Sequence, residues 1–222
     1  MLAGRAVVAI WNDIEADARA GFHAWHLGEH IPERVGIPGF LRGRRLIAAD
    51  PATQPEFFTL YEAEDMAVLR GPDYAARLNA PTEGTQRITA RFRNTSRALA
   101  EVIASAGPGV GGAMLTLRFA AAPTARPALA ALARQAAAGP RVSGAHLCAG
   151  DPDASGVRSA ESAGRTDLLA PPAWFLLIEA ADPAALADSV TDPALHAAGA
   201  HGAVTRGVYR LEYLRAKTAF AP

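Results

Sequence analysis

Residues 21–45 read GFHAWHLGEHIPERVGIPGFLRGRR, with three histidines ahead of Pro32 and the turn signal Pro38-Gly39 ahead of Phe40. Set on a helix at about 100° per residue, His23, His26, His30 and Arg34 share one sector, because spacings of three and four return to the same face. Ala20, Ala24, Trp25, Leu27, Gly28 and Ile31 lie across from them and offer the apolar surface by which such a helix packs on a sheet. Pro32 disfavours helical geometry at Ile31 and lacks a backbone donor, so a regular helix is predicted to end near His30. Gly36 and Pro38-Gly39 then turn the chain into a strand that starts at Phe40.

Outward from this stretch, residues 5–11 form a β-branched apolar run that stops at Asn12-Asp13, a first strand. The strand from Phe40 continues to residue 48 and closes at Asp50-Pro51. Residues 56–63, EFFTLYEA, are rich in aromatic and branched side chains and read as a third strand. Residues 66–78 read as a second helix interrupted by Gly71-Pro72, and 86–93 as a fourth strand. The order βαββαβ is the ferredoxin-like arrangement.

A second copy follows. RLIAADP at 45–51 is matched by HLCAGDP at 146–152, and LYEAED at 60–65 by LIEAAD at 177–182. Residues 113–119 and 204–214 are then a first and a fourth strand, and 126–138 and 184–198 two helices. The predicted fold class is α+β, two tandem ferredoxin-like repeats over 1–107 and 108–222 that form a pseudo-dimeric α/β barrel. The join, ASAGPGVGG at 104–112, contains G-x-G-x-x-G. It follows an alanine-rich helical pattern and precedes a strand, the reverse of a dinucleotide site, and so reads as a linker. The polar segment 151–172 is expected to be a mobile loop rather than a lid.

Trp25-His26, Glu29 to Arg34, Gly36 to Phe40 and Arg44-Arg45 together resemble the first-helix and second-strand signature of EthD-like proteins of the dimeric α/β-barrel superfamily. The resemblance implies ferredoxin-like units whose sheets pair into a barrel around a cavity. A fused pair would form within one chain the barrel that single-repeat relatives form as a dimer. It leaves the chemistry open, because related folds host monooxygenases, isomerases, cyclases, haem enzymes and proteins of no known activity.

Half of the 222 residues are hydrophobic, enough for a sizeable core, and 22 basic residues balance 22 acidic ones. That balance gives no electrostatic case for nucleic acid or an anionic membrane. The single cysteine, Cys148, excludes an intrachain disulfide and fits a reducing compartment. The apolar run before Asn12 is too short for a signal-peptide core, and no segment reaches the length of a membrane span, so a cytoplasmic protein is expected, with homodimer formation left open.

The candidate catalytic residues are His26, His30 and Tyr61, and the candidate substrate contacts Trp25, Arg42 and Arg44. Imidazole suits acid–base work near neutral pH, and the corresponding helix at 126–138 has no histidine. The alternative is that the histidines lie on a solvated face beside Arg19, Glu29 and Glu33. His26 to His30 also spells H-x-x-E-H, but a helical pair gives two ligands where zinc takes three or four, so no metal is expected. Tyr61, Thr59 and Phe57 share one face of the third strand, Phe58, Leu60 and Glu62 the other. Arg42 and Arg44, like Arg91 and Arg93, share a strand face and would suit a carboxylate or phenolate. His196 and His201 read as exposed capping residues and Cys148 as inert. Three functions stay open. One is a barrel that binds a small apolar or aromatic compound, with cofactor-free acid–base or oxygen chemistry. A second is a haem protein with a histidine axial ligand. The third is a non-catalytic binding or assembly module.

Overall fold

The structure, a computed structural model, describes residues 1–187 and 189–218. The first half contributes strands β1 (Ala6–Ile14), β2 (Phe40–Ala48), β3 (Phe57–Ala63) and β4 (Phe92–Ala106). The second contributes β5 (Ala113–Ala121), β6 (Val142–Gly150), the short β7 (Leu168–Leu169), β8 (Trp174–Ala180) and β9 (Ala200–Ala216). Eight of these close into an antiparallel barrel in the order β1-β3-β2-β9-β5-β8-β6-β4, with β4 returning to β1. The seams between halves are β2 with β9 and β4 with β6, and β7 lies parallel to β4 outside the ring. The barrel closes within one chain. None of the helices of the described residues is long and apolar enough to cross a membrane.

The barrel interior is a filled core. Alternate strand residues point inward, and Trp11, Phe58, Met114, Cys148, Phe175 and Tyr209 meet there. The Trp11 ring stacks on Phe58 at 4.9 Å, and its indole donates to Thr116 Oγ1 at 3.3 Å. Towards one end the inward side chains are charged. Arg44 pairs with Glu62 at 3.1 Å and with Glu179 at 2.7 Å, Arg42 Nε donates to Glu62 at 2.8 Å, and His146 Nε2 lies 3.1 Å from Glu179. The cavity anticipated at the centre of the barrel is therefore taken up by aromatic rings and this ionic cluster.

Helices cover the outside: α1 (Arg19–Trp25), α2 (Ile31–Gly36), α3 (Met66–Arg70), α4 (Pro72–Asn79), α5 (Glu83–Thr89), α6 (Arg126–Ala137), α7 (Pro152–Gly156) and α8 (Asp192–Ala197). Several elements differ from the sequence reading, and the helix expected at 184–198 is reduced to a 3₁₀ turn at Pro183–Leu186 followed by α8. The first helix does not end at His30: a π turn over His26–His30 joins α1 to α2, and Pro32 falls in the first turn of α2, where a missing N–H costs little. The strand expected at 86–93 is α5, started by Thr82, whose hydroxyl accepts from Thr85 N at 3.0 Å. The true fourth strand runs from Phe92 through the alanine-rich residues expected to be helical, since Ala98 and Ala100 face the crowded interior while Leu99 faces out. This shortens the join to 107–112, where Gly107 has φ +113°. The turn at Pro38-Gly39 is as expected, with Gly39 at φ +80° and Val68 packed where a side chain would stand.

Candidate functional site

Thr59 and Tyr61 turn to the outer face of β3 and meet the helices there. The π turn widens the helix opposite them, a local feature frequent at functional sites. It leaves His26 and His30 only 3% and 5% exposed, beside Trp25. The Trp25 and His30 rings are 4.2 Å apart, His26 and His30 5.6 Å, and His30 and Tyr61 6.2 Å. Trp25 is held by a 3.3 Å bond from its indole N–H to Thr85 Oγ1. The solvated-face alternative thus fails for His26, His30 and Arg34, all buried. It holds in part for His23, a third exposed and 4.0 Å from Glu212.

Between this helix layer and the outer face of the sheet lies a cavity of about 350 Å³, with His26, His30, Tyr61, Trp25, Tyr74 and Phe92 in its wall. Its far side is the segment expected to be mobile. Residues 151–172 fold across the opening: Asp151 caps α7, Leu99 N donates to Ser155 Oγ at 2.9 Å, and Ala160 N donates to Asn79 Oδ1 at 3.0 Å. Glu161 pairs with Arg34, Arg165 binds Asp167 at 2.6 Å and Thr95 at 2.8 Å, and β7 pairs with β4. Ser155, Val157 and Leu168 line the cavity.

Burial lowers the pKa of both histidines well below the ordinary imidazole value. Arg45, His23 and Arg34 add to the effect at His26, and Arg34, His26 and Arg77 at His30. Both rings are neutral at pH 7, able to accept a proton. Burial pushes the Tyr61 phenol well above its usual value, so it stays a donor. Nδ1 of His26, Nδ1 of His30 and the Tyr61 hydroxyl have no hydrogen-bond partner among the described residues. Buried polar atoms left open in this way call for an explanation, and a ligand in the cavity supplies one.

The structure brings together His26, His30, Tyr61 and Trp25. It places Arg42 and Arg44 elsewhere, in the ionic cluster inside the barrel. Arg91 and Arg93 pair with Glu15 at the surface. Glu29 of the H-x-x-E-H motif faces α5, where it accepts from the Thr82 hydroxyl, and the described residues hold no group of three His, Cys, Asp or Glu that could bind a metal. His196 and His201 are exposed, and burial drives the Cys148 thiol well up. Arg97 and the serines of 151–172 are not legible as site residues in the sequence, because its pattern ends the fourth strand at residue 93 and gives 151–172 the composition of a mobile loop.

No family model matches the sequence, and no curated protein matches it. Solved structures do. An anthrone oxidase-like protein aligns at 12% identity and TM-score 0.57, over 95% of this chain and 92% of its own. A candidate monooxygenase from Fusobacterium nucleatum subsp. nucleatum aligns at 9% identity and TM-score 0.58, over 97% and 96%. A candidate chlorite dismutase aligns at 11% and 0.52, over 95% and 96%. At these identities the likeness is one of fold: an eight-stranded antiparallel barrel covered by helices, closed within a single polypeptide.

Proposed function

We propose that this is an EthD-like protein of two tandem ferredoxin-like repeats, and that it binds a small aromatic compound outside the barrel, under the π turn, and oxidises it without a cofactor. The repeat reading is supported by the strand order, fourth-first-third-second in both halves: β4-β1-β3-β2 and β9-β5-β8-β6. The functional reading rests on one observation, the convergence of two buried neutral histidines and an unpartnered tyrosine hydroxyl on a ring-walled cavity. Its volume falls within the usual range for small-molecule sites.

In this scheme His30 or His26 takes a proton from an acidic C–H of the substrate, such as a methylene flanked by two aromatic rings. Tyr61 donates to the oxygen on which the charge is delocalised. The carbanion reduces dioxygen and forms a C–O bond, the histidine returns the proton to the peroxide, and loss of water leaves a ketone. The reaction balances: a methylene compound and one dioxygen are consumed, and the corresponding ketone and one water are formed. Oxidative names among the structural neighbours agree with this class of reaction.

The haem alternative fits less well. A histidine that ligates a metal almost always donates its second ring N–H to a carboxylate, carbonyl or water. Nδ1 of His26 and of His30 has no such partner among the described residues. Oxygen uptake with anthrone by the chelator-dialysed full chain tests the proposal. Turnover to the quinone, lost in His26→Ala/His30→Ala, is expected; turnover that needs added haem or metal, or that survives both substitutions, would refute it.

A further inference from the structure

Four arginines, Arg34, Arg97, Arg158 and Arg165, line the cavity against one carboxylate, Glu161. Two are neutralised by neighbours: Arg34 by Glu33 at 2.8 Å and by Glu161, Arg165 by Asp167. Arg158 lies exposed on the covering segment. Arg97 is different. It stands on the outer face of β4, half-buried, and has no carboxylate partner among the described residues. One guanidinium nitrogen donates to Tyr74 Oη at 2.8 Å, and the group lies 5.8 Å from the Tyr74 ring centre. Buried Tyr74 thus orients the guanidinium, and most of its five N–H donors are left for something else.

Register fixes the distance to the histidines. Arg97 is paired with Ile10, and Ile10 with Thr59, so Arg97 and Thr59 are two strands apart, about 10 Å at the usual strand spacing. Tyr61 follows two residues on from Thr59, beneath His30. A molecule reaching from His30 to Arg97 would cross the apolar floor at Ile10, about the length of two or three fused rings.

We infer that the substrate is an aromatic carboxylic acid, its carboxylate held by Arg97 and its reacting carbon under His26 and His30. The inference rests on the functional reading above and adds the substrate class. Planar guanidinium matches planar carboxylate through two parallel N–H···O bonds, geometry that a phenol or an uncharged ring cannot use. The electrostatics agree, since Arg34 and Arg77 crowd His30 with positive charge and oppose its taking up a proton. An anionic substrate brings the compensating charge with it and strengthens the base once it is seated.

Calorimetric titration of the full chain with 9-anthracenecarboxylate and with 9-anthracenecarboxamide tests this. The carboxylate is expected to bind about 10- to 100-fold tighter, the range of a charge-assisted hydrogen bond. Arg97→Met should erase the preference for the carboxylate, while Arg97→Lys, which keeps the charge without the fork, should retain part of it. Equal binding of both compounds by the wild type, or a preference that persists in Arg97→Met, would overturn the inference and leave the aromatic-cavity reading standing. Failure of both compounds to bind would overturn both.

Discussion

The two outer faces of the barrel are covered by helices of opposite character. Under α6 the sheet meets Leu129, Ala130, Ala133 and Ala136, all buried against Leu115, Leu117 and Ile178, and these small side chains let helix and sheet close on each other. Under α1 and the π turn it meets Trp25, His26 and His30, whose rings hold the layers apart over a cavity. The connections between strands differ in the same sense. Between β2 and β3 a short loop tucks against the second half, where Thr53 Oγ1 accepts from Val208 N at 3.0 Å and Tyr209 donates to Pro55 O at 3.0 Å. Between β6 and β8 the corresponding connection is long and spreads over the first half's cavity. Each half thus lends a loop to the other, but only one loan encloses a space. One face is closed by small side chains and the other holds a cavity, and bulky rings on one helix plus an extended loop from the opposite half are enough to make the difference.

The largest expected effect is on turnover. His30→Ala should lower the rate of oxygen uptake by about 10²- to 10⁴-fold, the usual worth of a positioned acid–base group. The variant enlarges a cavity that already exists, so its urea midpoint should move little. A rate within a few-fold of wild type in both His30→Ala and His26→Ala would place the chemistry elsewhere.

Next is the converse on the packed face. Leu129→Ala removes a fully buried side chain and should cost about 2 to 5 kcal/mol in urea unfolding. Turnover per folded molecule should stay unchanged, and a loss of rate without loss of stability would show that the two faces are not separable in this way.

Third, Glu161→Gln loosens the covering segment by weakening its pair with the buried Arg34, at a cost of about 1 to 3 kcal/mol. Limited proteolysis should then cut within 151–172 faster than in wild type, with no new site near α6.

The smallest effect is on pH dependence. His26 and His30 have folded pKa values below the unfolded value of about 6.5, so the unfolded chain binds more protons below that pH. Their contribution is complete above about pH 6.5 and is lost as the pH falls towards the folded values, with a slope of up to about 1.4 kcal/mol per pH unit for each ring. His26→Gln/His30→Gln should flatten the stability curve in that window, and an unchanged slope would mean that the rings are not buried neutral.

Much of this was legible in the sequence. The repeated RLIAADP/HLCAGDP and LYEAED/LIEAAD segments located β2, β3, β6 and β8, and the alternation along β3 separated Tyr61 from Glu62. What alternation could not say was which face pointed inward, because both sides of β3 are buried. His26, His30, Tyr61 and Trp25 were found because helical spacing and strand parity are local rules. Arg42 and Arg44 were assigned to a ligand because their partners Glu62 and Glu179 are brought up by other strands, one of them from the other half of the chain. Arg97 was missed because alanine-rich residues read as helix, whereas in this barrel alanine is what fits beside Trp11 and Phe58. A polar, glycine-containing run such as 151–172 carries no periodicity, and its order comes from Arg34, Asn79 and Thr95, which only the fold supplies.

The most direct test is ¹⁵N spectroscopy of the imidazole rings in the full chain, followed through a pH titration and on addition of an aromatic ligand such as 9-anthracenecarboxylate. The account predicts that the signals lost in His26→Ala and His30→Ala remain those of neutral rings as the pH passes below about 6.5, and that these same signals shift when the ligand is added. Rings that are already protonated at that pH, or ligand-induced shifts that leave His26 and His30 untouched, would contradict it.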